Sequence, residues 1–202
     1  MTRRMLLGAA LLSPALARTP QPPEFPDWDA KTIDRILTDS PWSRQLTAPF
    51  EYGSGASVRT EVYLTLRWSS ALPVRQAEAL DRWGRQGLDH PQARETLEGN
   101  AKHSILEIFG LPARMVPQGT RKLEEELAAS SILSVKGRHT WRPASVTVPG
   151  HGTHLIVTLR FPKLTGLTAQ DGLLDFFAQT GPIRISQKFR LKEMVYRGEL
   201  AL

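Results

Sequence analysis

The chain has 202 residues, 41% of them hydrophobic and 23% charged, the balance of a globular domain with one full-sized core. Its 26 basic and 20 acidic residues give a formal charge of +6, with the cations scattered rather than clustered beside aromatics, so no nucleic-acid partner is expected. The absence of cysteine excludes disulfides, thiolate metal sites, iron–sulfur clusters, cysteine nucleophiles and a lipidated-cysteine anchor.

Residues 1–17 read as a signal peptide. Arg3 and Arg4 precede the apolar stretch Met5 to Leu12, Pro14 interrupts it, and Ala15-Leu16-Ala17 supplies a small-x-small cleavage site. Cleavage there leaves 185 residues beginning near Arg18, and loss of the two arginines takes the net charge from +6 to +4. The expected destination is the periplasm or the exterior. Thr2-Arg3-Arg4-Met5-Leu6-Leu7-Gly8 is similar to a twin-arginine signal, and it also serves as the positive start of a general secretory signal; both routes stay open. No later apolar run approaches the ~18 to 20 residues of a spanning helix.

Residues 18–27 form a proline-rich tether, with Pro20, Pro22, Pro23 and Pro26 ruling out a helix or central strand. Residues 28–202 then form a single domain. The stretch from Trp28 to Leu46 reads as helical: Asp29 is placed to cap, Ile33, Ile36 and Leu37 share a face, and Asp39 or Ser40 ends the first helix before Pro41. Ser40-Pro41-Trp42-Ser43 then starts a second helical turn. Val58 to Trp68 alternates as a half-buried strand, with Val62, Leu64, Leu66 and Trp68 on one face. Leu72 to about Gln86 repeats Val74, Ala77, Leu80 and Trp83 at helical spacing, with Gly87 as its cap.

A short helix is expected over Pro91 to Leu97, started by Asp89 or His90, and a buried strand over Ser104 to Phe109. Thr120 to Ala129 is a helix with Leu123 and Leu127 inward and Glu124-Glu125-Glu126 outward. Strands follow at Ile132 to Val135, Ser145 to Val148, His154 to Phe161, Ile183 to Leu191 and Met194 to Leu202. The fold class is α+β, with helices mainly in the N-terminal half and an antiparallel, strand-rich C-terminal half.

The chemistry is sparse. His151-Gly152-Thr153-His154, with His139 upstream, offers imidazoles near zinc spacing, but its glycines and Pro149-Gly150 make it a hairpin loop, so no metal is expected. Neither a Gly-x-Ser-x-Gly elbow nor a glycine-rich phosphate loop occurs, and no cofactor is expected. Gly53-Ser54-Gly55 reads as a turn. A hydrolase would have to draw on His90, His103 or His154, or on a carboxylate pair from Asp171, Asp175 and Glu193, with Asp171-Gly172 itself looking like turn chemistry. No catalytic residue is named by any pattern.

The five tryptophans are the remaining lead. Trp68 and Trp83 lie on apolar faces and belong to the core; Trp28 and Trp42 flank the first helix, where they either clamp it to the body or form a partner surface. Lys188-Phe189-Arg190-Leu191-Lys192 places a basic stripe on one strand face, which by default is a charge-guarded edge.

Three strings, Ile36-Leu37-Thr38-Asp39-Ser40-Pro41-Trp42, Arg67-Trp68-Ser69-Ser70-Ala71-Leu72-Pro73-Val74 and Lys188 to Leu200, resemble an uncharacterised family of exported bacterial proteins. The resemblance implies a secreted or periplasmic single domain and names no site residue. The expectation is a non-enzymatic binding or assembly protein of the cell envelope, partnered by another envelope protein. The alternative is a periplasmic hydrolase built on His103, His154 or C-terminal acids.

Overall fold

The computed structural model describes residues 24–52, 58–100, 102–116, 119–137, 140–149 and 152–202. The signal peptide, residues 18–23 of the tether, Gly53-Ser54-Gly55, His139 and His151 lie outside the described residues.

Helix α1 (Ala30–Thr38) starts as expected: Asp29 Oδ1 accepts the Thr32 N–H at 2.8 Å, and those hydrogen bonds hold its carboxyl below the ordinary value. Ile36 and Leu37 are its buried face. The chain does not start a second helical turn. Ser40 and Ser43 exchange backbone hydrogen bonds of 2.9 and 3.1 Å across Pro41-Trp42, and the chain leaves as strand β1 (Ser43–Tyr52). β1 pairs along its whole length with β2 (Val58–Arg67), and this ladder outweighs local helical preference. Pro49 is tolerated because β1 is the edge of its sheet.

Helix α2 (Leu72–Trp83) stops three residues before the expected Gln86. Gly84, at φ 63°, caps it, and Arg85–Gly87 continues only as a 3₁₀ turn. Trp83 is therefore a correction: it is half-buried and stacks on His90 at 6.4 Å rather than entering the core. Helix α3 (Pro91–Glu98) is capped by His90, whose Nδ1 accepts the Gln92 N–H. Strand β3 (His103–Pro112) carries a bulge between Phe109 and Leu111 at Gly110, φ 90°, which returns Leu111 to the buried face.

Helix α4 (Thr120–Ser130) buries Leu123 and Leu127. Its acidic run is not simply outward. Glu124 accepts the Val148 N–H at 2.8 Å and Glu126 the Thr180 hydroxyl at 2.7 Å, while Glu125 meets Arg121 at the surface. Five strands follow: β4 (Ile132–Val135), β5 (Thr140–Trp141), β6 (Ser145–Thr147), β7 (His154–Pro162) and β8 (Leu173–Thr180). β9 (Ile183–Arg190) completes the second sheet. The closing stretch is not one strand. Leu191–Glu193 forms a 3₁₀ turn, and β10 (Val195–Tyr196) and β11 (Glu199–Leu200) make a small hairpin around Arg197-Gly198, both at positive φ (53° and 84°).

β1-β2-β3-β7-β6 form one antiparallel sheet and β5-β4-β8-β9 another. Their inner faces share a single core in which Val62, Leu64, Leu66, Leu106, Ile108, Val157 and Leu159 of the first sheet join Leu133, Leu174, Phe176 and Ile185 of the second. Trp68 is fully buried there, edge-on to Phe189 at 5.6 Å. β1 runs alongside β9, and α4 packs against β6 and β8. The helices α1 to α3 sit in the N-terminal half and the second sheet in the C-terminal half, an α+β domain. No described helix is long and apolar enough to cross a membrane.

Candidate functional site

Strand pairing places residues of equal parity side by side, so the first sheet's outer face can be read in rows. One row runs Ser43–Arg67–Glu107–Thr158–Thr147. The next runs Thr65–Phe109–Ile156, and Tyr63 stands one row beyond. Tyr63 is 73% exposed and Ile156 38%. Past Ile156 the face reaches His154 and a cleft of about 450 Å³ lined by Pro112, Ala113, Arg114, Gly152, Thr153 and His154.

The polar row is held from within. α2 brings Glu78 to Arg67, 3.4 Å away. Arg67 Nε donates to the Leu37 carbonyl at 3.0 Å, and its guanidinium lies 4.4 Å over the Phe109 ring. Glu107 accepts the Ser69 hydroxyl on one oxygen and the Thr158 hydroxyl, at 3.2 Å, on the other. Burial pushes the Glu78 carboxyl up, nearby Glu107 adds to this, and Arg67 opposes it. The two carboxyls sense one another's charge, and each is already engaged by side chains of the fold. Sequence reasoning did not single out Glu78 or Glu107, which are far apart in the chain and look like ordinary wetted-face residues. The only local signal was the Arg67-Trp68-Ser69-Ser70 string: Ser69 serves Glu107, and Ser70 Oγ accepts the Ile105 N–H at 2.9 Å.

The residues expected to carry chemistry do not converge. His103 Nδ1 is buried without a hydrogen-bond partner, so nothing orients the ring as a base. His154 is exposed, its Nδ1 3.3 Å from the adjacent Thr153 hydroxyl, and His90 caps α3. Asp171 closes a capping box with Thr168, and Glu193 lies near Arg44 (3.5 Å) and Arg190 (3.8 Å). Asp175 sits mid-strand on β8. Among the described residues no group of three or more acidic or histidine side chains could hold a metal ion.

Trp42 is not a surface residue. It is buried, its Nε1 donates to the Ala201 carbonyl at 2.9 Å, and its ring meets Tyr196 edge-on at 6.3 Å. Trp28 is half-buried against the core beside Phe25, at 5.8 Å. The last tether residues, Glu24–Asp27, form a turn tied to the body through Asp27–Arg85 at 2.8 Å. No family model, curated protein or solved structure matches this chain.

Proposed function

We propose that the chain is an exported, non-enzymatic binding protein of the bacterial cell envelope, and that another envelope protein engages the outer face of the five-stranded sheet. The observation that carries this reading is Tyr63, 73% exposed on an open end of the sheet face, with the Arg67-covered Phe109 and Ile156 in the next row. The Tyr63 hydroxyl donates to the Glu61 carboxylate at 3.3 Å, and the rest of the side chain is left largely in water. Tyrosine, arginine and apolar neighbours together are what protein interfaces bury. The cleft at the end of the face extends the same surface toward Arg114 and His154. The competing hydrolase reading rests on Glu78, whose carboxyl burial holds in its neutral form to higher pH than usual. It is the weaker, because both oxygens of Glu107 and the guanidinium of Arg67 are occupied within the protein.

Photocrosslinking tests the proposal. With a benzophenone amino acid replacing Tyr63, whole cells should give one discrete protein adduct, which disappears when Ile156→Asp is added. The same probe at Glu95, exposed on α3, should give none. No adduct at position 63, or one indifferent to Ile156→Asp, would overturn the binding face.

A further inference from the structure

The outer face of the second sheet has a different chemistry. β9 alternates Ile183, Ile185 and Phe189 inward with Arg184, Ser186, Lys188 and Arg190 outward, all four exposed. Register sets these beside β8: Arg190 opposite Leu173, Lys188 opposite Asp175, Ser186 opposite Phe177 and Arg184 opposite Gln179. On the far side of β8, Ile132 of β4 pairs with Phe177. Leu173 and Phe177 are 41% and 40% exposed. The face thus carries two apolar tips about 13 Å apart beside a row of cations about 20 Å long.

Those cations are unspent. Arg184 and Lys188 form no ion pair among the described residues, and Arg190 reaches Glu193 only at 3.8 Å. Asp175, the acid that β8 places on this face, faces Lys188 across the ladder without bonding it, and its Oδ1 is buried with no partner among the described residues. Charge complementarity therefore calls for an anionic occupant, and the apolar tips call for one that also accepts hydrocarbon. An edge strand needs charge to prevent pairing, but it does not need an exposed Phe and Leu between the charges.

We infer that this face docks on an anionic lipid surface, with Phe177 and Leu173 entering the headgroup boundary and Arg184, Lys188 and Arg190 meeting the phosphates. Long basic side chains can lay their stems along the apolar boundary while their charged ends stay wet. A nucleic acid is the poorer fit. Successive bases stack on aromatic platforms, and Phe177 is flanked across the ladder by Ser186 and Ile132. An acidic protein would use the cations but leave the apolar tips unexplained. The inference does not rest on the partner proposed for the other sheet.

The cysteine-free chain gives a direct probe, because Ser186→Cys can be labelled uniquely with an environment-sensitive dye. With the full chain and vesicles containing about 30% phosphatidylglycerol, the dye at 186 should shift to the blue and be quenched by lipid-borne quencher. A dye on Asp81→Cys, exposed on α2, should do neither. Since each cation near an anionic surface is worth about fivefold in partitioning, Arg184→Gln with Lys188→Gln should weaken the response about 25-fold. Phe177→Ser should weaken it about tenfold, and Tyr63→Ser, on the other face, should leave it unchanged. The inference fails if neutral phosphatidylcholine vesicles serve equally well, if the Gln pair has no effect, or if single-stranded DNA binds as tightly with no dependence on Phe177. Every substituted side chain is exposed, and an unchanged circular-dichroism melt separates lost docking from lost folding. Should Phe177→Ser not fold, Leu173→Ser takes its place.

Discussion

The two outer sheet faces are built from the same alternation and end in opposite electrostatic states. On the five-stranded face the charges are turned to one another: Arg67 is held by Glu78, by the Leu37 carbonyl and by the Phe109 ring, and Glu107 by two hydroxyls. On the four-stranded face Arg184 and Lys188 face solvent. The difference comes from what lies overhead. Ser69 and α2 cover the Arg67–Glu107 row and supply partners, whereas the outward side chains of β9 and the Leu173 and Phe177 tips of β8 are exposed. A half-buried charge without a partner is costly and an exposed one is nearly free, so the covered row is paired while the cations of the open four-stranded face stay unpaired. The Arg67–Glu107 row is structural, whereas the Tyr63 end of the same face and the outer face of β8 and β9 are available for binding.

The comparison can be broken most violently at Gly110. Its φ of 90° is a conformation side chains resist, and a Cβ there would meet the Tyr63 carbonyl at 2.7 Å. Gly110→Val should cost about 3 kcal/mol or more in urea unfolding. It should also disturb the Tyr63 face, while the dye response on the four-stranded face of the surviving folded fraction stays normal.

A subtler effect separates the faces by pH. The Glu78 carboxyl is raised in the folded state, so its contribution to stability is present at acid pH and is lost as pH rises through its folded pKa. Glu78→Gln cannot ionise. Relative to wild type, the variant should therefore gain stability between about pH 4 and pH 7, read by urea unfolding at both. Lys188→Gln should show no such trend.

Much of this architecture could be read from the chain. The Asp29 cap, the Val62-to-Trp68 alternation and the Leu123/Leu127 stripe each depend on neighbours within one element, and each stands where expected. Two missed strands share one cause, long-range pairing. β1 was hidden because Pro49 and the polar start Ser43-Arg44-Gln45 look unlike a strand until β2 lies beside them. β8 was hidden because Leu173-Leu174 and Phe176-Phe177 place apolar residues on both faces and erase the period of two. The same feature exposes Leu173 and Phe177. The Arg67–Glu78–Glu107 cluster was illegible for a related reason, since its members come from β2, α2 and β3. Trp42 was noticed, but only the fold revealed that the C-terminal segment covers it.

Thermal unfolding of two matched variants separates the paired row from the free face. Glu107→Gln turns one of the two half-buried acceptor oxygens into an N–H donor, so either the Ser69 or the Thr158 hydroxyl loses its acceptor, and it should cost about 1 to 3 kcal/mol. Lys188→Gln touches no partner and should stay within about 0.5 kcal/mol of wild type. Equal losses at the two sites, or a Glu107→Gln variant as stable as wild type, would contradict the division into a paired face and a free one.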